Sequence, residues 1–142
     1  MIESKKIKEI LKFVNERNVD KVDLIGEPYL GHIIRVADNF DYGSYEHIVA
    51  HLHDMIEDSD CTWKELIEFD LPPEVYHALE LITKKPNQTY KDYVKWIKRD
   101  EVARNVKIAD IIDNLRINKN EKIEEIMRRN NKYREALKIL LF

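Results

Sequence analysis

Apolar residues recur three and four positions apart through segment after segment of this chain, and that spacing leaves little room for anything but helices. Ile7, Ile10, Leu11 and Val14 stand at i, i+3, i+4 and i+7, the mark of one buried helical face. Ile108, Ile111, Ile112 and Leu115 have the same buried-face spacing late in the sequence. Many short strands would need frequent turns, and three glycines and four prolines in 142 residues supply few of them. The expected fold is therefore all-α, a single compact helical bundle over residues 1–142. A chain of this length can bury a real core without disulfides or a structural metal.

Local signals place the helices. The first is expected over about residues 4–17, ended by the polar run "NERNVDKVD". Pro28 suits the first turn of a second helix, "PYLGHIIRVADNF". After the turn "DYGS", Ser44 can cap a helix running to about Asp58. Thr62 and Glu65 have capping-box spacing. "LPPE" introduces a helix ending near "LITKKPNQ", Thr89 opens "TYKDYVKWIKRD", and Asp100 can cap "EVARNVKIADIIDNLRI". A last helix over about 120–141 carries Ile123, Ile126, Met127, Leu137, Leu140 and Leu141.

Charge and composition exclude several roles. No segment approaches the roughly 20 apolar residues of a membrane span, and "MIESKKIKEI" lacks a signal-peptide core. A net charge of −3 with no dense basic block argues against duplex nucleic acid as a partner. Small charged substrates remain, and the oligomeric state is left open. The single Cys61 excludes an internal disulfide and a thiolate zinc site, which fits a cytoplasmic protein.

Two polar clusters stand against this apolar background. "HLHDMIEDSD", residues 51–60, holds two histidines and four acids, and no Lys or Arg occurs from residue 36 to 63. His53 and Glu57 are four apart, as are Asp54 and Asp58, so on a continuous helix all four groups share one side. Acids without basic partners beside Leu52 and Ile56 invite a cation. In "VKIADIIDNL", Lys107, Asp110 and Asn114 share a stripe at i, i+3, i+7. With His32, the set becomes two imidazoles and two carboxylates, His32, His53, Asp54 and Asp110, suited to one divalent ion such as manganese, zinc or iron.

The order His32, His53-Asp54, Asp110 resembles the H…HD…D pattern of the HD-domain metal-dependent phosphohydrolases. More narrowly, "PYLGHIIRVAD", "HLHDMIEDSDCTWKEL", "LIT" and "VKIADIIDNL" are similar to the hydrolase domain of the RelA/SpoT homologues and their small single-domain relatives. Those enzymes remove the 3′-pyrophosphate of guanosine tetraphosphate. The resemblance implies an HD-domain bundle in which His32, His53, Asp54 and Asp110 hold one ion, typically Mn²⁺. It implies Glu57 and Asp58 as the catalytic acid pair and Asn114 as a substrate contact, with Thr83 of "LIT" near the site. Lys84 is a phosphate-contact candidate, and Lys107 is open between that role and a surface lysine. Where the family carries an arginine-containing run before "PY", this chain has "RNVDKVDLIGEPY", with Arg17 and Lys21 its only cations. No synthetase domain or regulatory tail is recognisable.

Three functions fit: hydrolysis of guanosine tetraphosphate or a related nucleotide, release of phosphate from nucleoside monophosphates, and non-catalytic metal or nucleotide binding. His47, His51 and His77 match no motif position and are read as structural or exposed. Tyr90, Tyr93 and Trp96 are assigned to core packing, and Arg128, Arg129 and Arg134 to a solvated face.

Overall fold

The computed structural model describes residues 1–22, 26–115 and 123–142, with the side chains of Ile123 and Ile126 set aside. The expected start of the last helix at 120–122 and the acid Asp23 lie outside the described residues. In chain order the helices are α1 (Ser4–Asn18), α2 (Tyr29–Ala37), α3 (Tyr45–Leu52), α4 (Met55–Asp58), α5 (Trp63–Ile67), α6 (Pro73–Ile82), α7 (Tyr90–Ile97), α8 (Glu101–Asn114) and α9 (Ile123–Leu141). One isolated antiparallel bridge joins Val22 to Pro28. The all-α class follows the sequence expectation. No helix among the described residues is long and apolar enough to cross a membrane.

The caps explain most of the boundaries. Ser44 Oγ accepts the His47 N–H at 3.1 Å, Thr89 Oγ1 that of Asp92 at 3.1 Å, and Asp100 Oδ2 that of Ala103 at 2.9 Å. Each satisfies a backbone donor that the first helical turn leaves without a partner. Thr62 and Glu65 form the expected capping box around α5. Pro28 stands one place earlier than expected, as the cap before α2 rather than inside it. At the other end α2 stops at Ala37, short of Phe40, because Asn39 Nδ2 donates to the carbonyls of Arg35 and Val36 and closes the last turn. Gly43, at φ +83°, then reverses the chain.

α3 and α8 form the middle of the bundle. α3 packs on α1, α2, α6 and α8, while α8 also touches α6, α7 and α9. Ile7, Ile10, Ile48, Leu52, Leu79, Ile82, Ile97 and Ile111 are buried between them, each fully buried apolar side chain contributing about 1.5–3 kcal/mol.

Two expectations are corrected on α8 and α7. The buried stripe of α8 is Ala103, Val106, Lys107, Asp110 and Ile111, so the polar residues share the core-facing side with the apolar ones. Ile112 is pushed to 58 % exposure, and Ile108 and Leu115 are only partly covered. Trp96 is also half exposed, its ring covered by the Arg99 guanidinium at 4.3 Å rather than by the core. Tyr93 is buried as expected, and Tyr90 packs beside it.

The segment 44–58 is the third correction. It is not one helix: α3 ends at Leu52, and Asp54 leaves helical geometry at φ −106°, ψ 3° before α4 begins. In an unbroken helix neighbouring side chains diverge by about 100°. The break lets His53 and Asp54 turn toward the same point.

Candidate metal centre

His32 on α2, His53 and Asp54 at the break, and Asp110 on α8 converge. Each contributes one ligand atom, and these atoms lie within 4.8 Å of one another. His32 Nε2 is 2.9 Å from Asp110 Oδ1, His53 Nε2 is 3.2 Å from the same oxygen, and His53 Nε2 is 3.0 Å from Asp54 Oδ2. The four residues expected from the sequence as ligands are thus brought together by three separate parts of the fold.

The far side of each ring fixes its chemistry. His53 Nδ1 is 2.6 Å from the Ala50 carbonyl, which can only accept, so this nitrogen carries a proton. His32 Nδ1 is likewise 2.6 Å from Asp113 Oδ2 and donates to it. With both protons on Nδ1, a neutral pair of rings aims two Nε2 lone pairs at carboxylate oxygens that also offer only lone pairs. Without an ion a ring relieves that conflict by taking a second proton on Nε2; a divalent ion on those lone pairs would relieve it in the proton's place, and donors of this kind fit one.

Electrostatics show the same demand for positive charge. Burial lowers the His53 pKa, but Asp54 and Asp110 outweigh it and hold the ring well above the usual histidine range. For Asp110, burial acts upward and is overcome by Lys107, His53 and His32, leaving the carboxyl well below its ordinary value. Tyr29 donates its hydroxyl to Asp54 Oδ2 at 2.5 Å. Lys107 Nζ donates to Asp110 Oδ2 at 3.1 Å, and Asn114 Nδ2 reaches Asp110 Oδ1 at 3.4 Å.

Lys107 is therefore not a surface lysine. Only 9 % of the residue is exposed, and the Asp110 carboxylate holds its charge in place.

Of the four, His32 and Asp54 line a cavity of about 490 Å³ together with Lys21, Val22, Tyr29, Asp58, Lys107, Asn114 and Tyr133. Its volume lies in the range of small-molecule sites. Lys21 Nζ is enclosed and makes no hydrogen bond among the described residues. On α9 Lys132 Nζ stands 4.2 Å from the Tyr90 ring centroid and 5.5 Å from that of Tyr133, which lines the cavity. Burial, reinforced by Lys107 and Lys84, lowers the Lys132 pKa.

The acid pair divides between two directions. Asp58 lines the cavity, whereas Glu57 accepts the backbone N–H of Lys84 from the connection after α6. Both reach solvent at the edge of the site, yet partial desolvation and the neighbouring Asp54 raise both carboxyls, against the Lys84 N–H at Glu57 and Lys21 at Asp58. The Lys84 ammonium itself is directed to the Lys85 carbonyl at 3.3 Å. Thr83 is not brought to the cluster: its hydroxyl donates to Leu79 O at 2.7 Å, and it lines a separate cavity with Trp63, Tyr76 and Lys85. His47 and His51 are buried against each other, ring centroids 4.8 Å apart, and His77 is exposed.

Sequence reasoning passed over Tyr29, Lys21, Asp113, Arg35, Lys132 and Tyr133. Asp113 carried a usable signal, since Asp110/Asp113 and His32/Arg35 are both i, i+3 pairs, a spacing that puts two groups on one side of each helix. Tyr133 and Lys132 carried none, because nothing in the sequence says which turn of α9 meets α7 and α8.

No family model matches the sequence, and no curated protein matches it. Among solved structures the chain is similar to a metazoan ortholog of SpoT that hydrolyzes ppGpp and plays a role in starvation responses. That likeness has a TM-score of 0.77 at 19 % sequence identity and covers 99 % of this chain and 88 % of the other. The helical HD-type fold expected from the motifs is the fold the two share.

Proposed function

We propose that the chain, acting as one domain, is a metal-dependent phosphohydrolase that removes the 3′-pyrophosphate of guanosine tetraphosphate or a closely related polyphosphorylated nucleotide. The observation that carries this reading is the convergence of two imidazoles and two carboxylates beside a cavity that Lys21 also lines, its enclosed ammonium without a hydrogen-bond partner among the described residues. A metal-binding cluster beside an enclosed ammonium suits a substrate that is an anion and is cleaved at phosphorus. The shared fold with a protein that hydrolyzes ppGpp supports the same class.

A divalent ion held by His32, His53, Asp54 and Asp110 would lower the pKa of a water and polarise a phosphoryl oxygen. Mn²⁺ is the leading candidate, with Zn²⁺ and Fe²⁺ compatible with the same donors. Glu57 accepts the proton of the attacking water; its raised pKa makes it a better base than an ordinary carboxylate. Asp58, on the cavity wall, orders the water beside it. The water oxygen forms the new bond to phosphorus, the bond to the ribose 3′ oxygen breaks, that oxygen takes up the proton Glu57 accepted, and the products are pyrophosphate and guanosine diphosphate. Lys21, Lys107 and Lys132 compensate phosphate charge, and Asn114 contacts the nucleotide from the cavity wall. Lys84 adds positive charge from the connection after α6, whereas Thr83 acts by shaping that connection. A cytoplasmic setting belongs to this reading, which a single buried cysteine suits.

The test is incubation of Mn²⁺-loaded protein with guanosine tetraphosphate and with nucleoside mono-, di- and triphosphates, products being separated by anion exchange. Pyrophosphate plus guanosine diphosphate is the expected result. Phosphate released from monophosphates would move the chain to the nucleotidases, and tight binding without product would make it a binding module.

A further inference from the structure

Behind His32 lies a second group of residues that the proposed reaction does not use. Asp113 is one turn beyond Asp110 on α8, and Arg35 is one turn beyond His32 on α2, so two i, i+3 pairs meet across the packed helices. Asp113 Oδ2 accepts His32 Nδ1–H at 2.6 Å. Arg35 in turn donates from Nε to Asp113 Oδ1 at 2.6 Å and from Nη2 to Oδ2 at 3.1 Å. A bidentate guanidinium leaves a carboxylate little freedom to rotate. Asp113 is well covered, its side chain 11 % exposed.

Gly31 leaves room for this arrangement. A Cβ at that position would stand 3.0 Å from Arg35 Nη1, a tight contact that the guanidinium would have to relieve by moving a few tenths of an ångström. Arg35 thus lies back along α2 in a slot that any larger residue at 31 would narrow, and from there it reaches α8.

The two histidines of the centre are consequently unequal. His53 is oriented by the neutral Ala50 carbonyl, His32 by an anion. A carboxylate on the far nitrogen fixes both tautomer and ring orientation and makes the near nitrogen a stronger donor to metal. We propose that Asp113, clamped by Arg35 in the slot left by Gly31, is a positioning residue that makes His32 the stronger of the two imidazole ligands. This rests on the metal-dependent reading given above.

The experiment compares the unaltered chain with Asp113→Asn and Arg35→Gln. Each protein is stripped with chelator, titrated with Co²⁺ by visible absorption and with Mn²⁺ by calorimetry, and melted without metal. Asp113→Asn can keep an acceptor for the His32 N–H while removing the charge and turning an amide donor toward Arg35 Nε, so affinity for both ions is expected to fall by about 10- to 100-fold. Arg35→Gln is expected to shift affinity the same way by less. A lower metal-free melting temperature with unchanged affinity in both variants would make the trio a helix–helix tie and overturn the inference. No binding by the unaltered chain would overturn the metal-dependent reading itself, and the inference with it.

Discussion

Glu57 is the residue on which the proposed chemistry turns, and its place outside the ligand set gives a sharp expectation. Glu57→Gln should lower turnover by about 10²- to 10⁴-fold, the range for a general base, while Co²⁺ titrates into the site as before. Loss of the ion in that variant would instead make Glu57 a ligand. Cys61 offers a check on burial that is independent of the site. Burial, aided by Glu65 and Asp60 and opposed by Arg17, pushes its thiol from about 9 up to about 11, so iodoacetamide at pH 8 should label the chain only after urea unfolding. As pH rises, the unfolded thiol loses its proton first. The stability this group contributes is therefore full below about pH 9 and is lost as pH climbs through about 11; equal labelling of native and unfolded chain would refute the burial. At this scale the converging set was legible because His32, His53, Asp54 and Asp110 are chemically conspicuous in apolar surroundings. Tyr29 and Lys21 were not, since an ordinary tyrosine and an ordinary lysine acquire meaning only from what lies across the cavity.

Elements were legible wherever a cap or a spacing fixed them, as at Ser44, Thr62, Thr89 and Asp100. The break at Asp54 was hidden because the "HLHDMIED" pattern satisfies a continuous helix perfectly well; at the break the Tyr29 hydroxyl and the His53 ring hold the Asp54 carboxylate inward against the repulsion of Asp110. Ile112 failed for a related reason, since Lys107 and Asp110 took the buried stripe that apolar spacing alone had assigned to it. The turns carry their own test. Gly26 and Gly43 both have positive φ, +79° and +83°, but only at Gly43 would an added Cβ meet neighbours, Ile7 Cδ1 at 3.2 Å and the Ile2 carbonyl at 3.3 Å. Gly26→Ala should cost about 1–2 kcal/mol for the left-handed backbone alone, and Gly43→Ala distinctly more. Urea titration of both variants decides it; equal losses would mean that the Gly43 turn gives way without strain.

For the whole molecule, the centre ties α2, α3 and α8 together, so an ion that binds only the folded chain must raise its stability. At one hundred times its dissociation constant, Mn²⁺ should add about 2.7 kcal/mol, a rise in melting temperature of roughly 5–10 °C for a chain of this size. Calorimetry with and without chelator should show that rise in the unaltered chain and its loss in Asp110→Asn; identical melting with and without Mn²⁺ would remove the ion from the proposal. The bundle could be read from the sequence because its helices carry their own caps and faces, whereas the order in which they pack, and hence which side chains of α9 overlook the cavity, could not. One feature of the fold reaches further. Of the four converging residues, His32 and Asp110 sit within packed helices and His53 and Asp54 at the end of α3, while Glu57 and Asp58 ride on α4, a four-residue segment at the surface. On the proposed reading, holding and cutting would fall to separable parts, and a lineage built on this chain could retool the reaction by editing one short surface segment while inheriting the cage.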